Sequence, residues 1–98
     1  MHKCAYTAGV SFQWDPLKAR ANLEKHGIDF ADVVGAFEDP RARTMPDPHP
    51  TEDRFVTVAL DSLVRVLVIV WTQRDDEIRL ISARKATRHE RRQYEQEG

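Results

Sequence analysis

The first half of the chain carries two stretches whose apolar spacing and end signals are typical of helices. Asp15 followed by Pro16 marks a helix start, because aspartate is a favoured N-cap and proline at the first helical position loses no hydrogen bond. Gly27 suits the left-handed position that ends a helix, so a first helix is predicted to run to about residue 26. Asp29 is a second N-cap. The apolar residues after it follow at i, i+3, i+4 and i+7 and form one stripe, made of Phe30, Val33, Val34 and Phe37.

The second half of the chain has the short period of β-strands. Residues 54–60 and 77–84 alternate between apolar and polar, while residues 63–72 are almost wholly apolar, as in a central strand covered on both faces. Short connections between these segments predict antiparallel hairpins. Two further strands are predicted, a short one over residues 11–14 and an edge strand over residues 41–45 that is followed by an exposed loop.

A capping box starts the last predicted helix. Thr87 and Glu90 stand at the spacing at which each side chain bonds the other's backbone N–H, and the helix runs to about residue 96. Its only large apolar residue is Tyr94, so it lacks the apolar stripe with which helices usually dock. The predicted order is β-α-α-β-β-β-β-α, an α+β fold with helices packed on an antiparallel sheet. Residues 1–98 are expected to form a single domain, with residues 1–10 as a loosely ordered leader.

Composition narrows the class of protein. The chain has 98 residues, 41% of them hydrophobic, and a formal net charge of −1, so total charge identifies no partner. One cysteine excludes an internal disulfide framework and suits a reducing compartment. No apolar run approaches the roughly 20 residues of a membrane helix, and the N-terminus does not resemble a signal peptide. A cytoplasmic protein without a membrane partner is expected.

The distribution of charge is more informative than its sum. Residues 79–92 contain six cationic side chains and one acid, a local charge of +5, so the rest of the chain carries −6. Such asymmetry is typical of a site for a polyanion, and arginine is the residue best suited to bidentate contacts with phosphate. A solvated, arginine-rich helix face is the alternative interpretation.

Metal, cofactor and nucleophile signals are weak. The four histidines form no His-x-x-x-His pair, the single cysteine forms no Cys-x-x-Cys pair, and four scattered glycines form no phosphate loop. Neither a metal nor a cofactor is therefore predicted. His26 is either a residue at a helix C-terminus, stabilised by the helix dipole, or a general acid or base beside phosphate. Glu90 is either a helix cap or a functional acid, and Tyr94 serves either packing or function.

Several motifs together resemble one family. They are Phe12-x-Trp14-Asp15-Pro16-x-Lys18, Asn22-x-x-Lys25-His26-Gly27-Ile28-x-Phe30, Asp53-Arg54-Phe55, and Arg79-x-Ile81-Ser82-Ala83-Arg84-Lys85-Ala86-Thr87 with Glu90-Arg91 and Tyr94. The chain resembles the BrnT toxins of bacterial type II toxin–antitoxin systems over about residues 12–95. It departs from the family pattern in a longer leader and in the turn near residues 60–64, where a glycine is expected.

The resemblance implies a fold and a function. The fold is RelE-like, an antiparallel sheet with two N-terminal helices and one C-terminal helix. The activity is that of a ribonuclease that cuts RNA and inhibits translation. The implied partner is a BrnA-like antitoxin with a ribbon-helix-helix part, through which the complex would bind operator DNA and repress its own operon.

The residues suggest how such an enzyme would work without a metal. The 2′-hydroxyl attacks the adjacent phosphate, which requires a base, cations around the phosphate, and an acid for the 5′-oxygen. Arg79, Arg84 and Arg88 are expected to supply the cations. His26 is the first candidate for acid or base, and Glu90 or Tyr94 is the second. The residues expected to position the RNA backbone are Lys25, Arg54, Lys85 and Arg91.

Two other functions are compatible with the same residues. The chain could be a non-catalytic module that binds the antitoxin and acts as a co-repressor. It could also be a small interaction domain whose basic helix is only a solvated face. Toxicity on expression without an antitoxin distinguishes a ribonuclease toxin from both of these alternatives.

Overall fold

The computed structural model describes residues 3–7 and 9–97. Nine elements follow one another in this part of the chain: β1 (Lys3–Thr7), β2 (Val10–Trp14), α1 (Pro16–His26), α2 (Phe30–Ala36), β3 (Arg43–Asp47), β4 (Arg54–Leu60), β5 (Val66–Arg74), β6 (Glu77–Lys85) and α3 (Arg88–Glu97). The six strands form one sheet in the order β1-β2-β6-β5-β4-β3. From β2 onward, the element order agrees with the prediction, and the fold is α+β.

The N-terminal segment differs from the predicted leader. Lys3–Thr7 form β1, which pairs antiparallel with β2, and residues 1, 2 and 8 lie outside the described residues. Gly9 has a φ of 77°, a left-handed conformation that glycine adopts without strain and that suits the turn between the two strands. The free edge of β2 offers backbone partners to any neighbouring segment, and this non-periodic segment takes them.

The sheet is mixed, so the prediction of a purely antiparallel sheet is wrong at one pair. β2 runs parallel to β6, with Ser11 opposite Glu77 and Phe12 opposite Ile78. Two helices and three strands separate β2 from β6 in the chain, so no hairpin sets the relative direction of these two strands. The antiparallel hairpins predicted between β4, β5 and β6 are confirmed. The predicted edge strand is also present as β3, although it begins and ends two residues later than predicted.

The helix ends follow the predicted caps. The Asp15 side chain accepts a hydrogen bond from the N–H of Leu17 (2.8 Å), and Gly27 has a φ of 71° with its N–H bonded to the carbonyl of Leu23. The Asp29 side chain accepts from the N–H of Ala31 (3.0 Å). These contacts satisfy backbone groups that the helices themselves leave without partners.

The core lies between α2 and the face of the sheet that α2 covers. Its largest fully buried side chains include Phe12, Phe30, Leu67 and Ile69. Trp14 is 5% exposed and meets Phe30 edge-to-face, with ring centroids 6.1 Å apart, so it is part of the core.

The other face of the sheet is only partly covered. Strand register places Val58, Val68 and Arg84 in one row across β4, β5 and β6, on the side away from the core. α3 lies against this side, because Glu90 of α3 contacts Arg84. We call this side the open face.

The turn between β4 and β5 contains a strained residue. Val64 has a φ of 61° and is 78% exposed, and its N–H bonds the carbonyl of Asp61 (3.1 Å). A β-branched residue in the left-handed region is unfavourable by about 1–2 kcal/mol. The family resemblance predicts a glycine near this position.

Replacing Val64 with glycine is therefore expected to stabilise the protein by about 0.5–1 kcal/mol, because the relief of strain exceeds the added entropy of the unfolded chain. Thermal unfolding is the measurement, and we expect the melting temperature to rise by a few degrees. Ser62→Gly in the same exposed turn is the control, because Ser62 has no positive φ and glycine there adds only entropy. A lower melting temperature for Val64→Gly would contradict the assignment of strain.

Candidate active site

A buried amide attaches α1 to the edge of the sheet. β2 pairs with β6 only as far as Arg79, so the remainder of β6 faces α1 on that side. Asn22 is 6% exposed, and its side chain accepts from the N–H of Ala83 (3.0 Å) and donates to the carbonyl of Ala83 (2.9 Å). The same amide donates to the carbonyl of Ile28 (3.0 Å). Asn22 thus makes the backbone contacts that a neighbouring strand would make.

This attachment brings two of the predicted site residues beside β6. Lys25 and the half-buried His26 lie in the last turn of α1 and border a shallow groove of about 210 Å³. We call it the α1–β6 groove, and its lining residues are Lys18, Ala21, Asn22, Lys25, His26, Ile81 and Ser82.

Arg84 and Glu90 form a bidentate ion pair. The two guanidinium nitrogens of Arg84 donate to the two carboxylate oxygens of Glu90 at 2.8 and 2.9 Å. Glu90 also accepts from the N–H of Thr87 (2.8 Å), and the Thr87 hydroxyl accepts from the N–H of Glu90 (3.2 Å), which confirms the capping box. The hydrogen bonds from Arg84, followed by that from Thr87, lower the pKa of Glu90 to about 2. Glu90 is therefore ionised at neutral pH and balances the charge of Arg84.

Tyr94 anchors α3 to the chain segment that follows α2. It is 6% exposed, and its hydroxyl donates to the carboxylate of Asp39. Burial and the bond to Asp39 raise the pKa of Tyr94 to about 12. Burial raises the pKa of Asp39, but hydrogen bonds from Tyr94 and from the N–H groups of Leu60 and Arg41 outweigh it and lower the pKa overall. Tyr94 thus packs and stays protonated at neutral pH.

A larger cavity on the open face brings Glu90 and Tyr94 together. It has a volume of about 390 Å³ and lies between α3 and the sheet, lined by Arg43, Met45, Val56, Val58, Val68, Glu90, Gln93 and Tyr94. Aliphatic side chains of β4 and β5 contribute to its lining.

Arg79 and Arg54 lie on the same face at the opposite end of the strands. Register places Arg54 opposite Thr72 and Thr72 opposite Arg79, so the two arginines share one row. Arg79 donates to the Gln13 side chain (3.0 Å), and Arg54 donates to Glu52 (2.7 Å). Arg84 follows Arg79 by five positions along β6, which is roughly 16 Å along a strand.

The remaining predicted residues lie at the start of α3 and the end of β6. Arg88 is exposed at the first position of α3. Lys85 and Arg91 line a third groove together with Val64 and Arg65. The structure therefore distributes the predicted residues over several neighbouring surfaces around β6 and α3, with Arg54 and Arg79 farther away, and does not gather all of them in one pocket.

Sequence reasoning missed two residues that shape this region. Asp39 precedes Pro40 in a turn, where an acid is ordinary, so nothing in the sequence pointed to its bond with Tyr94. Asn22 belonged to the family motif, but its role as the partner of β6 depends on a contact 61 residues away along the chain. Within the described residues, no group of three or more His, Cys, Asp or Glu side chains is placed to hold a metal ion. In the same part of the chain, no helix is both long enough and apolar enough to cross a membrane.

Comparisons with known proteins agree with the motifs. A family model described as "Ribonuclease toxin, BrnT, of type II toxin-antitoxin system" matches residues 14–90, which include every predicted site residue except Arg91 and Tyr94. The 1.1 Å crystal structure of the Brucella abortus ribonuclease toxin BrnT is similar, with a TM-score of 0.61 and 27% sequence identity. That match covers 76% of this chain and 94% of the Brucella chain. A search of curated proteins found no match.

Proposed function

The chain belongs to the BrnT family of ribonuclease toxins of type II toxin–antitoxin systems, and from this premise we propose that it cleaves RNA by attack of the 2′-hydroxyl on the adjacent phosphate. One observation carries the proposal. Arg84 and the α1–β6 groove, which holds His26, flank the same half of β6, because Ser82 borders the groove only two residues before Arg84. Alternate residues of a strand lie roughly 6.6 Å apart, close enough for one phosphate and its neighbour to contact both.

The ionisation of these groups supports separate roles for them. Arg84 is the cation that stabilises the negative charge developing on the phosphate, with Arg79 and Arg88 as more distant cations. Glu90 is held ionised by Arg84, so it orients the guanidinium and does not donate a proton at neutral pH. The Tyr94 hydroxyl is bonded to Asp39 and serves as an anchor. His26 then remains the candidate for proton transfer.

The family also supports a set of partners. We propose an antitoxin that resembles BrnA and carries a ribbon-helix-helix part, through which the complex binds operator DNA and represses its operon. We further propose that the toxin inhibits translation in the cytoplasm. The element order from β2 to α3 supports a RelE-like fold for this chain.

A second candidate function rests on the same ion pair. The Arg84 charge is balanced by Glu90, and the Tyr94 hydroxyl is committed to Asp39, as expected of residues that only hold α3 in place. In that case the chain is a non-catalytic module that binds the antitoxin and acts as a co-repressor.

Incubation of purified, antitoxin-free protein with single-stranded RNA in excess EDTA tests the proposal. We expect cleavage that leaves 2′,3′-cyclic phosphate and 5′-hydroxyl ends, and no cleavage of DNA or 2′-O-methyl RNA of the same sequence, because both lack the nucleophile. Intact RNA in the presence of folded protein would favour the co-repressor. Cleavage that requires a divalent cation would show that the protein is a ribonuclease, but it would contradict the metal-independent mechanism proposed here.

A further inference from the structure

The α1–β6 groove contains a cation that the predicted site did not include. Positions 18, 21, 22, 25 and 26 follow the i, i+3, i+4, i+7 and i+8 spacing, so these residues share one face of α1. Lys18 therefore lies on the same face as Lys25 and His26. Glu24 is the only acid within Pro16–His26 and does not line the groove.

The charges in the groove are balanced differently from those of three arginines elsewhere in the protein. Arg84, Arg54 and Arg65 each form an ion pair with a carboxylate. Lys18, Lys25 and His26 form no ion pair or hydrogen bond with any side chain in the described part of the protein. The Ser82 hydroxyl, on the β6 side, likewise has no hydrogen-bond partner among the described residues. Several donors thus face one groove without an acceptor from the protein.

We infer that the α1–β6 groove binds the RNA backbone, with Lys18 and Ser82 as contacts to one phosphodiester beside Lys25 and His26. This inference rests on the proposed ribonuclease function and extends it. A shallow groove with small or aliphatic residues, Ala21 and Ile81, in its lining suits a chain that passes across the surface. Lysine and serine side chains donate to phosphate oxygens without reading the base.

The position of the groove identifies which part of the RNA it would hold. Ser82 and Arg84 alternate along β6 and point to the same face, since Ser82 pairs with Val70 and Arg84 with Val68. A nucleotide bound in the groove is therefore a neighbour of the one whose phosphate meets Arg84. Lys18 and Ser82 act as positioning residues, which affect RNA affinity more than the rate of the chemical step.

A matched pair of substitutions on α1 tests the groove. Lys18→Gln removes a charge inside it, and Arg20→Gln removes a charge from an exposed position of the same helix outside it. The probe is a short single-stranded 2′-O-methyl RNA, and the measurement is its affinity by fluorescence anisotropy over a range of salt concentrations. We expect Lys18→Gln to weaken binding several-fold and to reduce the salt-dependence slope by about 0.7. For Arg20→Gln we expect wild-type values, and for Ser82→Ala a loss smaller than that of Lys18→Gln with no change in slope.

The possible outcomes distinguish failure of this inference from failure of the proposed ribonuclease function. If Lys18→Gln and Arg20→Gln change RNA affinity equally, in variants that melt like the wild type, the inference that the groove binds RNA is wrong. Cleavage of unmodified RNA by the wild type would still support the ribonuclease function in that case. If Lys18→Gln weakens binding of a polyglutamate peptide and leaves RNA affinity unchanged, the groove is a protein-docking site and the inference is wrong. If the wild type neither binds nor cleaves RNA, the proposed function and the inference fail together.

Discussion

RNA cleavage by the Arg84→Ala variant is expected to be about 10²–10³-fold slower than by the wild type, the usual cost of removing one donor to a developing oxyanion. Arg84 lies on the open face, and its side chain is 41% exposed, so its guanidinium can meet a phosphate. The measurement is kcat for a single-stranded RNA together with KM. We expect most of the loss in kcat, because the contact strengthens as charge develops on the phosphate.

Two companion variants show whether charge or structure is lost. Arg84→Lys keeps the charge but loses the bidentate geometry, so its rate should fall between those of wild type and Arg84→Ala. Glu90→Gln keeps the helix cap, because glutamine also serves in a capping box, and removes the carboxylate that competes for Arg84. We expect a much smaller loss for Glu90→Gln than for Arg84→Ala. If the two variants lose activity equally and melt at equally reduced temperatures, the pair holds α3 in place and has no part in cleavage.

Loss of the Asn22 amide is expected to have the largest effect on stability. Asn22→Ala leaves the N–H and carbonyl of Ala83 and the carbonyl of Ile28 without this side-chain partner, in a site where Asn22 itself is buried. Unsatisfied buried groups cost about 1–3 kcal/mol each, and partial access to water lowers the sum, so we expect a loss of about 2–4 kcal/mol. For a domain of this size, the melting temperature should fall by roughly 10 °C or more.

The stability of Asn22→Ala is compared with that of a second variant at the same position and of a control variant on the same helix. Asn22→Asp still accepts from the N–H of Ala83 but cannot donate to either carbonyl, so it should also destabilise. Arg20→Ala, at an exposed position of α1, should change stability by no more than about 0.5 kcal/mol. Urea unfolding is the measurement. A wild-type midpoint for Asn22→Ala would show that water replaces the amide and that α1 does not depend on it.

The local parts of this fold follow from local signals. Asp15, Gly27, Asp29 and the Thr87–Glu90 pair each act within a few residues, through side chains that satisfy helix ends, and the structure contains all of these caps. The hairpins of β4, β5 and β6 follow from period and connection length in the same way. Nearly the whole element order was therefore predictable from the sequence.

The long-range parts were not predictable by the same reasoning. The parallel pairing of β2 with β6 joins segments more than 60 residues apart, and no turn specifies its direction. The sequence places Arg84 and Glu90 in one basic cluster, but only the structure shows that they neutralise each other. The two predicted residues of α1 reach β6 because of Asn22, whose contact with Ala83 has no periodic signature.

The anchoring of α3 has a consequence for genetics. The bonds Arg84–Glu90 and Tyr94–Asp39 hold this helix, whose surface is otherwise almost entirely polar, and one of these four residues, Arg84, is also the proposed catalytic cation. In a selection for cells that survive expression of the protein, escape mutations should therefore include these four positions, in addition to His26 and Asn22. Some survivors would carry a folded but inactive protein, while others would carry one whose C-terminal helix has detached and been degraded. Immunoblotting of each survivor for the amount of intact protein would sort the two classes before any is used to map the active site.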